Sequence, residues 1–198
     1  MNHSRQSNEM ARINQGGWNI MTIDDMRVIA YHEAGHAVVA WSLGLLINEV
    51  RIEPNGGICK HAMTISPLLD PEFMGKSDWA KVEKKALILL AGEIAEQVGG
   101  KMARLAGDDE VAELCSYAHS ASLESTVPGS DREELRELAE LIFGEIGTEA
   151  NEWIEKSMAK AEDIILGHWK KICSLSNALV EKNVLSGAEA IRIIEMAE

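Results

Sequence analysis

The stretch Tyr31-His32-Glu33-Ala34-Gly35-His36-Ala37 decides how this chain is read. It is a His-Glu-x-x-His motif. Around it apolar residues recur at Met26, Ala30, Ala34, Ala37, Val38 and Trp41, the pattern of an amphipathic helix. Residues four apart on a helix share a face, with Cβ atoms about 5–6 Å apart. The imidazoles of His32 and His36 can therefore share one tetrahedral metal ion. Glu33 follows the first ligand directly and can reach the metal's water without occupying a coordination position. Two ligands, one general base and an open position make the zinc-hydrolase arrangement. Gly35 costs the helix about 0.8–1 kcal/mol relative to Ala. A small residue inside the motif is what close packing or close approach to a metal requires.

Upstream, Thr22-Ile23-Asp24-Asp25 reads as the helix start, with Thr22 as N-cap and Asp25 three positions on. The helix is predicted over 23–43, ending near Gly44. Two histidines leave a zinc site incomplete. The extended motif that adds a third histidine six residues on would need glycine at position 39 and histidine at 42, and the chain has Val39 and Ser42. The remaining candidates are His61, Glu93, Glu96, Asp108, Asp109, His119 and His168, and spacing alone does not choose among them.

Composition narrows the function classes. Nineteen basic against 32 acidic residues give a net charge of −13. That balance argues against a nucleic-acid partner and against an anionic membrane surface. Cys59, Cys115 and Cys173 lie far apart and are odd in number, so neither a disulfide framework nor a thiolate metal site is indicated. Their default role is that of small hydrophobes, and a reducing cytoplasm is the expected location. No apolar signal segment precedes the motif. The longest mostly apolar stretch, 37–47, is far short of the roughly 20 residues that a membrane helix needs.

Along the chain, residues 1–20 are expected to be a mobile segment and 21–198 one domain. Residues 48–53 and 58–65 read as strands joined across Pro54-Asn55-Gly56-Gly57, a turn by composition. Gly75-Lys76-Ser77 briefly resembles the end of a phosphate-binding loop, but Asp70 stands where the first glycine belongs. It reads instead as a helix start, with Ser77 or Asp78 as cap and an end near Gly99-Gly100. Further helices are predicted over 108–121 and, behind the capping box Ser130-x-x-Glu133, over 130–143. Ile154, Met158, Ala161, Ile165, His168, Ile172, Leu175 and Leu179 form a heptad-like stripe, one long C-terminal helix with a kink near Gly167. Core packing is the expected role for most of the five tryptophans. The fold class is mainly α, with a small β-hairpin or sheet.

Residues 29–39, Ile-Ala-Tyr-His-Glu-Ala-Gly-His-Ala-Val-Val, resemble the peptidase domain of the FtsH-type AAA+ zinc proteases. Val50-Arg51-Ile52-Glu53-Pro54 looks like the strand and turn that follow the zinc helix there. Ala91-Gly92-Glu93-Ile94-Ala95-Glu96 is similar to that family's small-Gly-x-x-Ala-Glu helix. Leu185-Ser186-Gly187-Ala188-Glu189 resembles the entry to its last helix. The family's third ligand is an Asp at a helix start, four residues before an Ala. Asp108 precedes Ala112 by four, so the resemblance implies ligation by Asp108. The approach Arg104-Leu105-Ala106-Gly107 departs from the family's small polar run, which leaves Asp109 and Glu96 as alternatives. Alone, Asp108-Asp109-Glu110 reads as acids decorating a helix N-terminus.

The resemblance implies a zinc metallopeptidase acting on peptides or unfolded proteins. His32, His36 and Asp108 would hold Zn²⁺, and Glu33 would serve as general base. Membrane segments and an ATPase domain, usual in that family, are expected to be missing. A separate ATPase partner or a homo-oligomer would then supply unfolding. The alternatives are a zinc-stabilised binding or regulatory module without turnover, and a zinc hydrolase of some non-peptide amide.

Overall fold

A computed structural model describes residues 23–53, 56–63, 74–102 and 129–197, and the expected mobile N-terminal segment, Thr22, Pro54, Asn55 and the predicted helix over 108–121 lie outside them. Six helices and three short strands are found among the described residues: α1 (Ile23–Ser42), β1 (Ile47–Glu53), β2 (Gly56–His61), α2 (Lys76–Met102), α3 (Asp131–Phe143), α4 (Thr148–Gly167), α5 (Trp169–Lys182), β3 (Val184–Ser186) and α6 (Gly187–Met196). The fold class is mainly α with a small antiparallel sheet, as the sequence pattern implies.

α1 is the hub. It packs against α2, α5, β1 and β2. Its first turns are one-sided, but Ala37, Val38, Val39 and Ala40 are buried in succession. A helix walled in on several sides loses its polar face, so the expected amphipathic pattern holds only for the first half. Gly35 sets the approach to α2. A methyl group there would lie 2.5 Å from the Ala91 carbonyl oxygen and 2.6 Å from the Ala95 Cβ. The residue that weakens the helix thus permits its closest packing contact.

The sheet runs β2-β1-β3, with β1 antiparallel to both neighbours. Val50 pairs with Cys59 on one side and Leu185 on the other. A register shift between Ile47 and Glu49 lets Ile47 join Val50 and Ile52 on the buried face, which strict alternation would forbid. Gly56 and Gly57, expected in the turn, belong to β2, and β2 ends at His61 rather than at position 65. β3 was not anticipated, because three residues carry no readable period.

α2 starts at Lys76, where the Asp78 carboxylate accepts from the Gly75 N–H at 3.3 Å. It passes through Gly99-Gly100 instead of stopping there. A methyl at Gly99 would sit 2.4 Å from the Tyr31 ring, so this glycine serves helix contact and not helix termination. The predicted C-terminal stripe is buried as expected at Ile154, Ala161, Ile165, Ile172, Leu175 and Leu179. It is carried by two helices instead of one. α4 ends where the His168 N–H bonds back to Ile164 and Ile165, and α5 starts at the next residue. Ser186 and Glu189 form a reciprocal capping box on α6. A methyl at Gly187 would lie 1.8 Å from the Ile47 carbonyl oxygen, so the Leu-Ser-Gly entry is dictated by β1 running past it. Trp41, Trp153 and Trp169 pack on the core, while Trp79 is exposed. Among the described residues no helix is long and apolar enough to cross a membrane.

Candidate metal centre

His32 and His36 lie one turn apart on the face of α1 that meets α2. Their rings are edge to face, with centroids 4.7 Å apart. The room for both comes from Gly92 of α2. A methyl there would fall 2.4 Å from His36 Nε2 and 2.6 Å from His32 Nε2. The Nδ1 atoms are held from behind. His36 Nδ1 donates to the Ile88 carbonyl at 2.7 Å, and His32 Nδ1 donates to Glu96 Oε2 at 3.1 Å. With acceptors on both Nδ1 atoms, each neutral ring carries its proton there and presents an Nε2 lone pair forward.

Both Nε2 atoms point at one oxygen. Asp131 Oδ2 lies 2.9 Å from His32 Nε2 and 3.0 Å from His36 Nε2. The three groups offer ligand atoms that all lie within 4.8 Å of one another. Two imidazole nitrogens and a carboxylate, with both outer nitrogens already tied, is a donor set suited to zinc. Burial pulls His32 down, but hydrogen bonds to Asp131 and Glu96 outweigh it and raise its pKa to about 10. Burial likewise raises Asp131, and the two imidazoles outweigh that and hold it well below the usual carboxylate range.

Asp131 is the first residue of α3. Ser130 caps that helix by accepting from the Glu133 N–H, as the sequence predicts. The box is not reciprocal: the Glu133 carboxylate reaches back to the Gly129 N–H instead. Asp108, Asp109 and His119 lie outside the described residues. Of the other candidates, Glu96 approaches the rear of His32 and orients the ring. Glu93 takes the guanidinium of Arg132. His61 lines the same cleft, its Nδ1 buried without a hydrogen-bond partner among the described residues and its pKa lowered by burial and by nearby Lys85 and His36. His168 stands away from the site, its ring edge on Trp41 at 5.7 Å. The sequence pattern marks the cap in front of Asp131 but not its approach to the two histidines. The signal present was an Asp directly behind a helix cap, and the Ala-at-four criterion pointed to Asp108.

Glu33 is buried, only 4% exposed, beneath β2. A methyl at Gly57 would lie 2.5 Å from its Oε1, so a glycine in the strand leaves space for this carboxylate. Burial raises its pKa, with His36 and His32 pulling the other way. A cleft of about 850 Å³ opens over these groups, walled by α1, α2, β2 and the start of α3.

Residues 19–193 match the profile of Peptidase family M41. The chain belongs to that family. It is 28% identical over 194 residues to the ATP-dependent zinc metalloprotease FtsH of Caldicellulosiruptor bescii, covering 88% of this chain and 31% of that protein. Against FtsH 1 of a Thermoanaerobacter species it is 29% identical, covering 86% of this chain and 30% of the relative. The FtsH of Thermotoga maritima is 27% identical, with 86% and 30% covered. The chain therefore spans about a third of the length of the curated relatives it matches. Within this M41 domain the small-Gly-x-x-Ala-Glu helix has a physical meaning. Ala91 and Ala95 receive Gly35, Gly92 makes room for the imidazoles, and Glu96 turns one of them.

Proposed function

We propose that this chain is a zinc-dependent metallopeptidase, with His32, His36 and Asp131 as metal ligands and Glu33 as general base. The observation that carries the reading is the convergence of two Nε2 atoms on one Asp131 oxygen while both Nδ1 atoms are committed elsewhere. Asp131 is the acid that the described residues bring to the histidines, and Asp108, which the family pattern suggests, stands as the alternative third ligand. When bound, Zn²⁺ supplies Lewis acidity toward a water molecule and toward the scissile carbonyl.

The chain's own residues do the rest. Glu33 accepts the proton of the attacking water and returns it to the leaving amine. Its raised pKa moves it toward neutrality, where a carboxylate takes and gives protons more readily. Glu96 and the Ile88 carbonyl keep both imidazoles in the ligating tautomer. β2 is an edge strand beside the cleft. Its outer edge offers an extended peptide main-chain pairing, so flexible polypeptide segments are the substrates proposed. An ATPase acting on folded substrates, from a partner or elsewhere in a longer protein, is part of the proposal by analogy with the relatives.

The test is Glu33→Gln with unfolded casein. Zinc content is expected to stay near one per chain while hydrolysis disappears. Unchanged turnover would remove Glu33 from the mechanism. Zinc without turnover in the wild type, even with peptides, would favour the non-catalytic module.

A further inference from the structure

We propose that His61 is a specificity-determining residue of the cleft, whose Nε2 N–H reads a neutral hydrogen-bond acceptor, the side-chain amide of an Asn or Gln, in a bound polypeptide. The inference deepens the peptidase reading by naming a substrate class, and it rests on the cleft being where substrate lies.

β2 presents one row of side chains to the cleft. A methyl at Gly57 would strike Glu33, and Cys59 and His61 line the same cleft. Lys60, between them, is exposed and turned to Glu49 at 3.0 Å. That is the period-two alternation of a strand. At about 3.4 Å per residue, His61 stands about 13 Å along β2 from Gly57. The row thus runs from the Glu33 carboxylate at one end to an imidazole at the other.

The charged neighbour of that imidazole is already paired: Lys85 Nζ meets Glu134 Oε2 at 2.7 Å. His61 is different. Its Nδ1 is buried with no hydrogen-bond partner among the described residues. A neutral imidazole has one N–H and one lone pair. A proton on Nδ1 would be a buried donor with nothing to accept it, the costlier arrangement. The proton therefore belongs on Nε2, the nitrogen left to face the cleft. Burial and Lys85 disfavour the cation. The cation would present the same Nε2 N–H, so the donor does not depend on protonation state.

The surroundings define what this donor can take. Ile88 and Leu89, one turn along α2 from Lys85, give the cleft an apolar wall. A substrate carboxylate would meet the Glu134 carboxylate that already holds Lys85. A substrate ammonium would meet Lys85, and a donor where it needs an acceptor. An aliphatic side chain leaves the N–H unpaired. An amide carbonyl satisfies it and lays its short apolar stem on the wall. A polypeptide extended along β2 repeats the strand's spacing, so the amide falls about four residues from the one that lies over Glu33.

The experiment uses the full, zinc-loaded chain carrying Glu33→Gln, so that peptides bind without being cut. Fluorescein-labelled, casein-derived peptides with each position in turn Gln, Leu, Glu or Lys are titrated by anisotropy. At one position Gln is expected to bind about 3–10-fold tighter than Leu, the worth of one net hydrogen bond, with Glu and Lys no better than Leu. His61→Phe keeps a ring without an N–H and should erase the preference. His61→Gln keeps a donor and should retain part of it. No position with an amide preference, or the same preference in His61→Phe, overturns the proposal. Should His61→Phe fail to fold, long-range nitrogen–proton NMR of the histidine side chains decides. A neutral Nε2–H tautomer whose signal moves with the Gln peptide and not with the Leu peptide supports the proposal. An Nδ1–H tautomer, or no movement, overturns it. Casein turnover by the wild type is scored separately. The amide preference without turnover refutes the peptidase reading and keeps the role of His61. Turnover without the preference refutes the role of His61 alone.

Discussion

The two halves of the candidate metal centre are built by different forces. His32 and His36 sit where α1 and α2 meet closely through Gly35, Ala91, Gly92 and Ala95, with no room for one added methyl. Asp131 arrives on a helix whose first turn is held by a cap and by partly exposed charges. Packing is short-ranged and unforgiving. Charge is directional but screened. The difference means that the two imidazoles are fixed by the fold, while the Asp131 carboxylate can be moved without disturbing the core.

The sharpest way to break the packed half is Gly92→Ala. Its methyl would overlap both Nε2 atoms. Metal affinity should fall by about 100-fold or more, at the upper end of what disturbing a ligand's surroundings costs, as read by competition with a chromophoric chelator. Wild-type affinity would show that the rings are not confined by α2. Gly35→Ala attacks the same contact away from the metal. Overpacking costs about 1–3 kcal/mol, so the melting temperature should drop by roughly 2–12 °C at 2–4 °C per kcal/mol. The cobalt spectrum should keep its shape.

Glu96→Gln probes the rear support of His32. It keeps a hydrogen-bond acceptor but removes the charge, and metal affinity should weaken by about 10-fold. No change would assign Glu96 to packing alone.

pH separates the metal-free and metal-bound states. The folded pKa of His32 is raised from 6.5 to about 10. Its contribution to metal-free stability is fully present below 6.5 and is lost as pH rises through about 10. Asp131 is depressed from 3.8, so its contribution is present above 3.8 and lost as pH falls below it. The metal-free melting temperature should therefore decline from pH 6.5 toward 10 while zinc affinity rises over the same range. At pH 8 zinc should release about one proton from His32 on binding. Calorimetry in two buffers of different ionisation heat reads that number, and zero release would contradict it. The smallest expected effect is Ser186→Ala, which removes the cap of α6 and should cost about 1 kcal/mol without touching metal affinity.

The packed half was also the legible half. The spacing of His32, Glu33 and His36 puts two imidazoles on one face with a carboxylate beside them, because a helix converts sequence separation into geometry. Gly35 and Gly92 stood out as small residues inside motifs, and the structure supplies their reasons. The glycines at 99 and 100 misled, since a glycine demanded by the Tyr31 ring looks in sequence like one that ends a helix. The break at His168 was visible only as a kink beside Gly167, because the apolar stripe continues in phase across it. The approach of Asp131 to the two histidines was not legible. Asp131 lies 95 residues from His36, and chain separation says nothing about which acid returns to the site. Its cap could be read; its contacts with α1 are made between helices, which leave no period in the sequence.

Zinc content of Asp131→Ala measured beside that of Asp108→Ala tests the account most directly. About one zinc per chain in the wild type and in Asp108→Ala, with zinc lost from Asp131→Ala, is the predicted result. Zinc retained in Asp131→Ala and lost from Asp108→Ala would contradict it.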